Sequence, residues 1–106
     1  PMVVGGLRPA MEIAAMARRA GASVVVTTTV DAGIGVVAAL HLAAALPGEG
    51  PACGLATSSL LAADIIAQPL AAEGGLMPLP ARPGLGVELH EGALVRYATV
   101  TREVPT

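Results

Sequence analysis

The sequence predicts an α/β fold in which short parallel strands alternate with helices, and three observations carry that expectation. The first is the stretch Val24-Val25-Val26-Thr27-Thr28-Thr29-Val30-Asp31-Ala32-Gly33-Ile34-Gly35, where an apolar β-branched run turns polar, gains one carboxylate and passes through two glycines into a helical pattern. Consecutive valines suit a strand buried on both faces, as in a parallel sheet, and the threonines with Asp31 fall where that strand ends. The second is that Met2-Val3-Val4 and the run from Ala52 to Ala56 are also short and apolar, closing on glycines or on hydroxyl residues. The third is rhythm: each run is followed within a few residues by a helical pattern, which is the βαβ order of a parallel sheet or barrel.

Composition bounds the answer further. A chain of 106 residues makes at most one modest domain. It has no Phe, Trp or Asn and one Tyr, so packing rests on Ala, Leu and Val with four Met. The six basic residues are all Arg, the net charge is −2 and the charges are scattered, which leaves no basic face or aromatic platform for nucleic acid. A single cysteine, Cys53, excludes an internal disulfide, and its apolar surroundings predict a buried, inert thiol and a cytoplasmic chain. The uncharged run from Ile34 to Leu46 spans 13 residues, against the roughly 20 a membrane crossing requires, so no membrane span is expected. The opening Pro1-Met2-Val3-Val4 has neither a charged leader region nor an initiator methionine, and the chain is expected to begin inside a longer protein.

Taken in order, Met2-Val3-Val4 is expected to end a strand, with Gly5-Gly6 allowing the next loop to approach something closely. A helix follows, with Pro9 in its first turn, a stripe of Ile13, Met16, Ala17 and Ala20, and Glu12, Arg18 and Arg19 toward solvent. Gly21 stops it. The central strand is expected over Ser23 to Thr28 and its helix over Ile34 to Leu46, where His41 is the only ionisable side chain and reads as a packed or interface residue rather than a ligand.

Pro47-Gly48-Glu49-Gly50-Pro51 returns the chain to a third strand, Ala52 to Ala56. A short helix through Leu60 to Ile66 is expected next, with Ser58 or Ser59 as N-cap. Three strands cannot close a barrel, and as an open sheet they leave two unpaired edges, so residues 1–68 read as part of a larger β/α unit. Past Pro69 the spacing of Glu73-Gly74-Gly75, Pro78, Pro80 and Pro83-Gly84-Leu85-Gly86 predicts an extended arm over residues 69–106 that packs on another part of the protein. From Leu89 on, Tyr97, Thr99 and Thr101 alternate with apolar residues, which predicts an edge strand.

The chemistry is sparse. Gly33-Ile34-Gly35 at a helix start could aim backbone N–H groups at an anion, but a dinucleotide fingerprint needs a third glycine and a P-loop needs a lysine. Ala56-Thr57-Ser58-Ser59-Leu60 lacks the glycines of a nucleophile elbow. Asp31 and Asp64 are too few for a metal site. What remains is a rim of hydroxyls, backbone N–H groups and one carboxylate, suited to holding an anionic substrate. A plainer reading makes the same residues a threonine-rich strand end with an acidic helix cap, in a non-catalytic binding or oligomerisation module.

Four stretches together resemble a known family: Pro1-Met2-Val3-Val4-Gly5-Gly6-Leu7; Val25-Val26-Thr27-Thr28-Thr29-Val30-Asp31-Ala32-Gly33-Ile34-Gly35; Ala39-Leu40-His41-Leu42-Ala43-Ala44; and Pro83-Gly84-Leu85-Gly86. In order and spacing they resemble the C-terminal part of the enolase superfamily, within it the muconate lactonizing enzyme subgroup, with the o-succinylbenzoate synthases as nearest members. The resemblance implies the C-terminal portion of a (β/α)7β TIM-like barrel, strands six to eight, plus an extended C-terminal arm that returns to a capping domain.

It also implies the activity. In this family a lysine on the second strand and another on the sixth abstract and return protons, and Mg²⁺ held by three carboxylates on strands three to five stabilises the enediolate. The sixth-strand lysine falls immediately before Pro1, so the resemblance places no catalytic residue and no metal ligand in this chain. What it carries over is substrate binding by Thr28, Thr29 and Gly54, with Asp31 where relatives carry glutamate, and with Gly5 and Gly6 beside the sixth strand. The implied partners are a small carboxylate substrate and further copies of the full protein, with no nucleic acid and no membrane. Dehydration in menaquinone biosynthesis is the expected reaction, with N-acylamino acid racemase and muconate cycloisomerase activities as alternatives. Gly54-Leu55-Ala56-Thr57 lacks the acidic pair of dipeptide epimerases, and residues 23–35 lack the histidine of mandelate-racemase-like members.

Overall fold

The computed structural model describes residues 1–100 and 102. Three helices account for its regular structure: α1 (Leu7–Arg19), α2 (Gly33–Ala45) and α3 (Glu91–Tyr97), with a 3₁₀ turn at Ser58–Leu60.

Helix α1 ends as Gly21 predicts. Gly21 takes φ 77°, its N–H donates to Arg18 O at 3.0 Å, and the Ala22 N–H reaches back to Ala17 O at 2.9 Å, which closes a Schellman motif. Arg18 and Arg19 in the last turn complement the negative end of the helix dipole. The buried face differs from the expected one. Ala14 is buried with Ala10 and Ala17 partly covered, whereas Ile13 and Met16 are half or more exposed. The small side chains of α1, rather than its bulky stripe, are the ones covered.

Helix α2 is the packing centre. Its Val36, Val37, Ala39, Leu40 and Leu42 are buried, and Ala39, Leu40 and Leu42 form the core with Val26 and Leu55. Each large apolar side chain so covered contributes about 1.5–3 kcal/mol. The segments around Val26 and Leu55 run side by side in parallel: Thr27 bridges Gly54, the Gly54 N–H donates to Val26 O at 2.9 Å, and the Thr28 N–H donates to Gly54 O at 3.0 Å. This is the parallel adjacency expected of the second and third strands, reduced to one bridge rather than a regular ladder.

Three expected elements take other forms. Residues 1–4 make a turn closed by the Gly6 N–H on Pro1 O at 2.9 Å instead of a strand. A strand needs a neighbour to complete its hydrogen bonds, and residues 1–4 pair with no other segment among the described residues. The helix expected through Leu60 to Ile66 stops after the 3₁₀ turn, and Ser58 donates to Leu70 O at 3.2 Å rather than capping it. The backbone is already extended at Leu61, with φ −91° and ψ 139°, and further on the Asp64 carboxylate accepts the Ile65 N–H at 2.7 Å. The edge strand expected from Leu89 is instead α3. Leu89 bridges Ile66 in antiparallel fashion, and His90 then caps α3 by accepting the Ala93 N–H on Nδ1 at 3.1 Å. Thr101 of that expectation lies outside the described residues. Cys53, expected to be buried, is exposed.

The segment past Pro69 is extended and folds back over its own chain. Leu70 and Met77 pack on the core, and His41 Nε2 on α2 donates to Leu85 O at 3.1 Å. A packed histidine therefore pins the Pro83-Gly84-Leu85-Gly86 turn. Among the described residues no helix is long and apolar enough to cross a membrane. The radius of gyration is 15.0 Å, against about 13 Å for a compact domain of this length, and Met2, Val3, Ile13, Met16 and Val25 present apolar surface to water.

Candidate functional site

The rim is built where the first parallel segment leaves the core. Side chains alternate along it: Val26 and Thr28 are buried toward α2, whereas Val25, Thr27 and Thr29 are exposed on the opposite face. Thr28 therefore works as a tie between the two segments. Its Oγ1 lies 2.7 Å from Thr57 Oγ1 and donates to Gly54 O at 3.3 Å. Gly54 shares the open face with Thr27, since a Cβ at Gly54 would sit 3.1 Å from Thr27 Cγ2.

Beyond Thr29 the backbone turns sharply. Val30 takes φ 60°, among the described residues the single non-glycine there, and a β-branched residue is strained in that region. Asp31, 8% exposed, points back rather than forward: the Thr29 N–H and Oγ1–H donate to its carboxylate at 3.4 and 3.3 Å. It does not cap α2, whose N-cap residue Ala32 makes no side-chain cap bond. The cap comes from far along the chain, where Asp64 Oδ1 accepts the Gly33 N–H at 2.7 Å. The Gly33 amide that the sequence aims at an anion thus meets the protein's own carboxylate. Gly35 leaves room for Asp31, because a Cβ there would sit 2.7 Å from Asp31 Cβ.

A cavity of about 230 Å³ opens beside this rim, with Thr27, Thr29 and Asp31 at its polar part and Ala14, Val25 and Leu42 among its apolar walls. It is bounded by Pro1 to Val4, not by Gly5 and Gly6, which take φ 92° and 119° in open space. The structure brings Thr29 and Asp31 together, seats Thr28 behind them and places Gly54 on the same face as Thr27. Two residues of this arrangement escape sequence reasoning. Thr27 could have been found from the alternation that groups it with Thr29; Asp64 lies 31 positions from its partner and carries no local signal. Among the described residues no three His, Cys, Asp or Glu side chains converge.

Two parallel segments, each leading out through hydroxyl residues at its carboxyl end, with the first feeding a helix that covers both, are the local architecture of a TIM-barrel-type enzyme. Residues 1–93 match the family described as enolase C-terminal domain-like, and the chain belongs to that family. It is 42% identical over 76 residues to an o-succinylbenzoate synthase of Thermobifida fusca, covering 72% of this chain and 23% of the relative. It is 34% identical over 90 residues to muconate cycloisomerase 1 of Rhodococcus opacus, covering 85% and 24%. Among solved structures, a muconate lactonizing enzyme from Klebsiella pneumoniae superposes with a TM-score of 0.81 at 35% identity, over 94% of this chain and 27% of that one. The chain spans about a quarter of the length of the curated relatives it matches. These relatives are enzymes of the enolase superfamily, which is the protein's parent class.

Proposed function

We propose that the chain forms the substrate-holding end of the barrel in a cytoplasmic o-succinylbenzoate synthase, a lyase that removes water from a cyclohexadiene carboxylate in menaquinone biosynthesis. The observation that supports this most is the open polar face made by Thr27, Thr29 and Gly54 at the carboxyl ends of two parallel segments, beside a cavity whose other walls are apolar. The Thr27 hydroxyl on that face donates to a substrate carboxylate, and the apolar walls cover a hydrocarbon ring. Gly54 keeps the second segment bare, so that a ring approaches the backbone next to Thr27. Asp31 is committed to Thr29 and shapes the turn instead of taking a proton from substrate.

Bond making belongs to residues beyond this chain. The lysine pair and the three carboxylates for Mg²⁺ fall in the part of the barrel that the chain does not span. Residues 69–106 make the arm that continues toward a capping domain, and the full protein is a homo-oligomer. A second reading, muconate cycloisomerase, draws support from the TM-score of 0.81 to a muconate lactonizing enzyme.

The test is turnover by the full-length protein. Metal-dependent dehydration of succinyl-hydroxycyclohexadiene carboxylate, with little or no cycloisomerisation of muconate, is the expected result. Muconate turnover alone favours the second reading, and no turnover of either with metal present contradicts the enzyme assignment.

A further inference from the structure

We infer that Asp64 is a positioning residue for the substrate rim, fixing the start of α2 and through it the Thr29–Asp31 turn. This rests on the reading of that rim as substrate-holding.

Helix α2 has no side-chain cap of its own and no acidic residue in its first turn. The first amides of a helix need an acceptor, and Asp64 supplies one from a loop on the far side of the second parallel segment. Its Oδ1 accepts both the Gly33 and the Ile65 N–H at 2.7 Å, so one atom joins two loops. Its Oδ2 is buried without a partner. A carboxylate with one bare oxygen is costly to bury, and the positive end of α2 is the feature that offsets the cost. Space around the contact is equally restricted: a Cβ at Gly33 would sit 2.4 Å from Ile66 Cδ1 and 2.9 Å from Asp64 Oδ2.

The rim turn needs such an anchor. Val30 at φ 60° is strained, and a strained residue persists only where its surroundings over-determine it. Asp31 holds the turn on the Thr29 side and Asp64 on the Gly33 side. Weakening Asp64 lets residues 29–33 relax, which moves Thr29 and Asp31 while the core around Leu40, Leu42 and Leu55 keeps the fold.

The test uses the full-length protein. In Asp64→Asn the side-chain shape is kept and the charge is lost; KM is expected to rise by about tenfold, equivalent to about 1.4 kcal/mol, with kcat within about twofold. Ile66→Val loosens the same packing with the carboxylate in place, and KM is expected to stay within about twofold of the parent. Folded Asp64→Asn protein with unchanged KM overturns the inference, as does an equal KM rise in Ile66→Val. Amide hydrogen exchange in the unmutated protein decides the matter if Asp64→Asn does not fold. Bound o-succinylbenzoate should slow exchange at Gly33 together with Thr29 and Val30, and protection that leaves Gly33 unchanged contradicts the linkage. Failure of the unmutated protein to bind substrate or product would count against the substrate-rim reading instead, so the two failures are distinct.

Discussion

Gly35 and Thr28 show how closely single residues are fitted to their neighbours. A methyl group at Gly35 would sit 2.7 Å from Asp31 Cβ, a separation that side-chain carbons do not adopt. Gly35→Ala is therefore expected to destabilise the protein by roughly 1–3 kcal/mol through overpacking, read as a lower midpoint of thermal unfolding. Thr28 is buried and its hydroxyl joins the two parallel segments through Thr57. Thr28→Val leaves Thr57 and Gly54 O short of that partner and is expected to cost about 1 kcal/mol in denaturant unfolding. A stability loss with little change in KM would place Thr28 behind the rim, whereas a large KM rise would return it to the substrate surface.

At the scale of elements, α1 and α2 were legible, whereas α3 and the strands were not. Helix α1 runs from Leu7 to Arg19 because Pro9 suits its first turn and Gly21 its C-terminal signal, and both act locally. Gly21→Ala should cost about 1 kcal/mol or more, since the methyl group must enter the left-handed region, and circular dichroism during thermal unfolding measures it. Strands are made by their neighbours: the run at Met2-Val3-Val4 has β-branched residues but pairs with no other segment among the described residues, and it curls into a turn. The missed cap on α2 lies far along the chain. Asp64 bonds the Ile65 and Gly33 amides at once, and pattern reading along the chain cannot anticipate a contact between such distant positions. His41 meets Leu85 O across 44 positions, a contact its own helix does not announce. His41→Ala should free the 83–86 turn and increase its cleavage in limited proteolysis.

For the whole molecule, the proposed division of labour is that this part of the barrel holds substrate while proton transfer belongs elsewhere. The chain spans about a quarter of its curated relatives, and its described residues bring no metal-ligating cluster together. The isolated chain is accordingly expected to show no metal-dependent dehydration, and any turnover by it would contradict the division of labour. Thr27 tests that division most directly, because its hydroxyl stands on the open face beside the cavity. In the full-length protein, Thr27→Val should raise KM for the cyclohexadiene carboxylate by about tenfold and leave kcat within about twofold. A collapse of kcat at unchanged KM would place bond making, rather than substrate holding, at this rim.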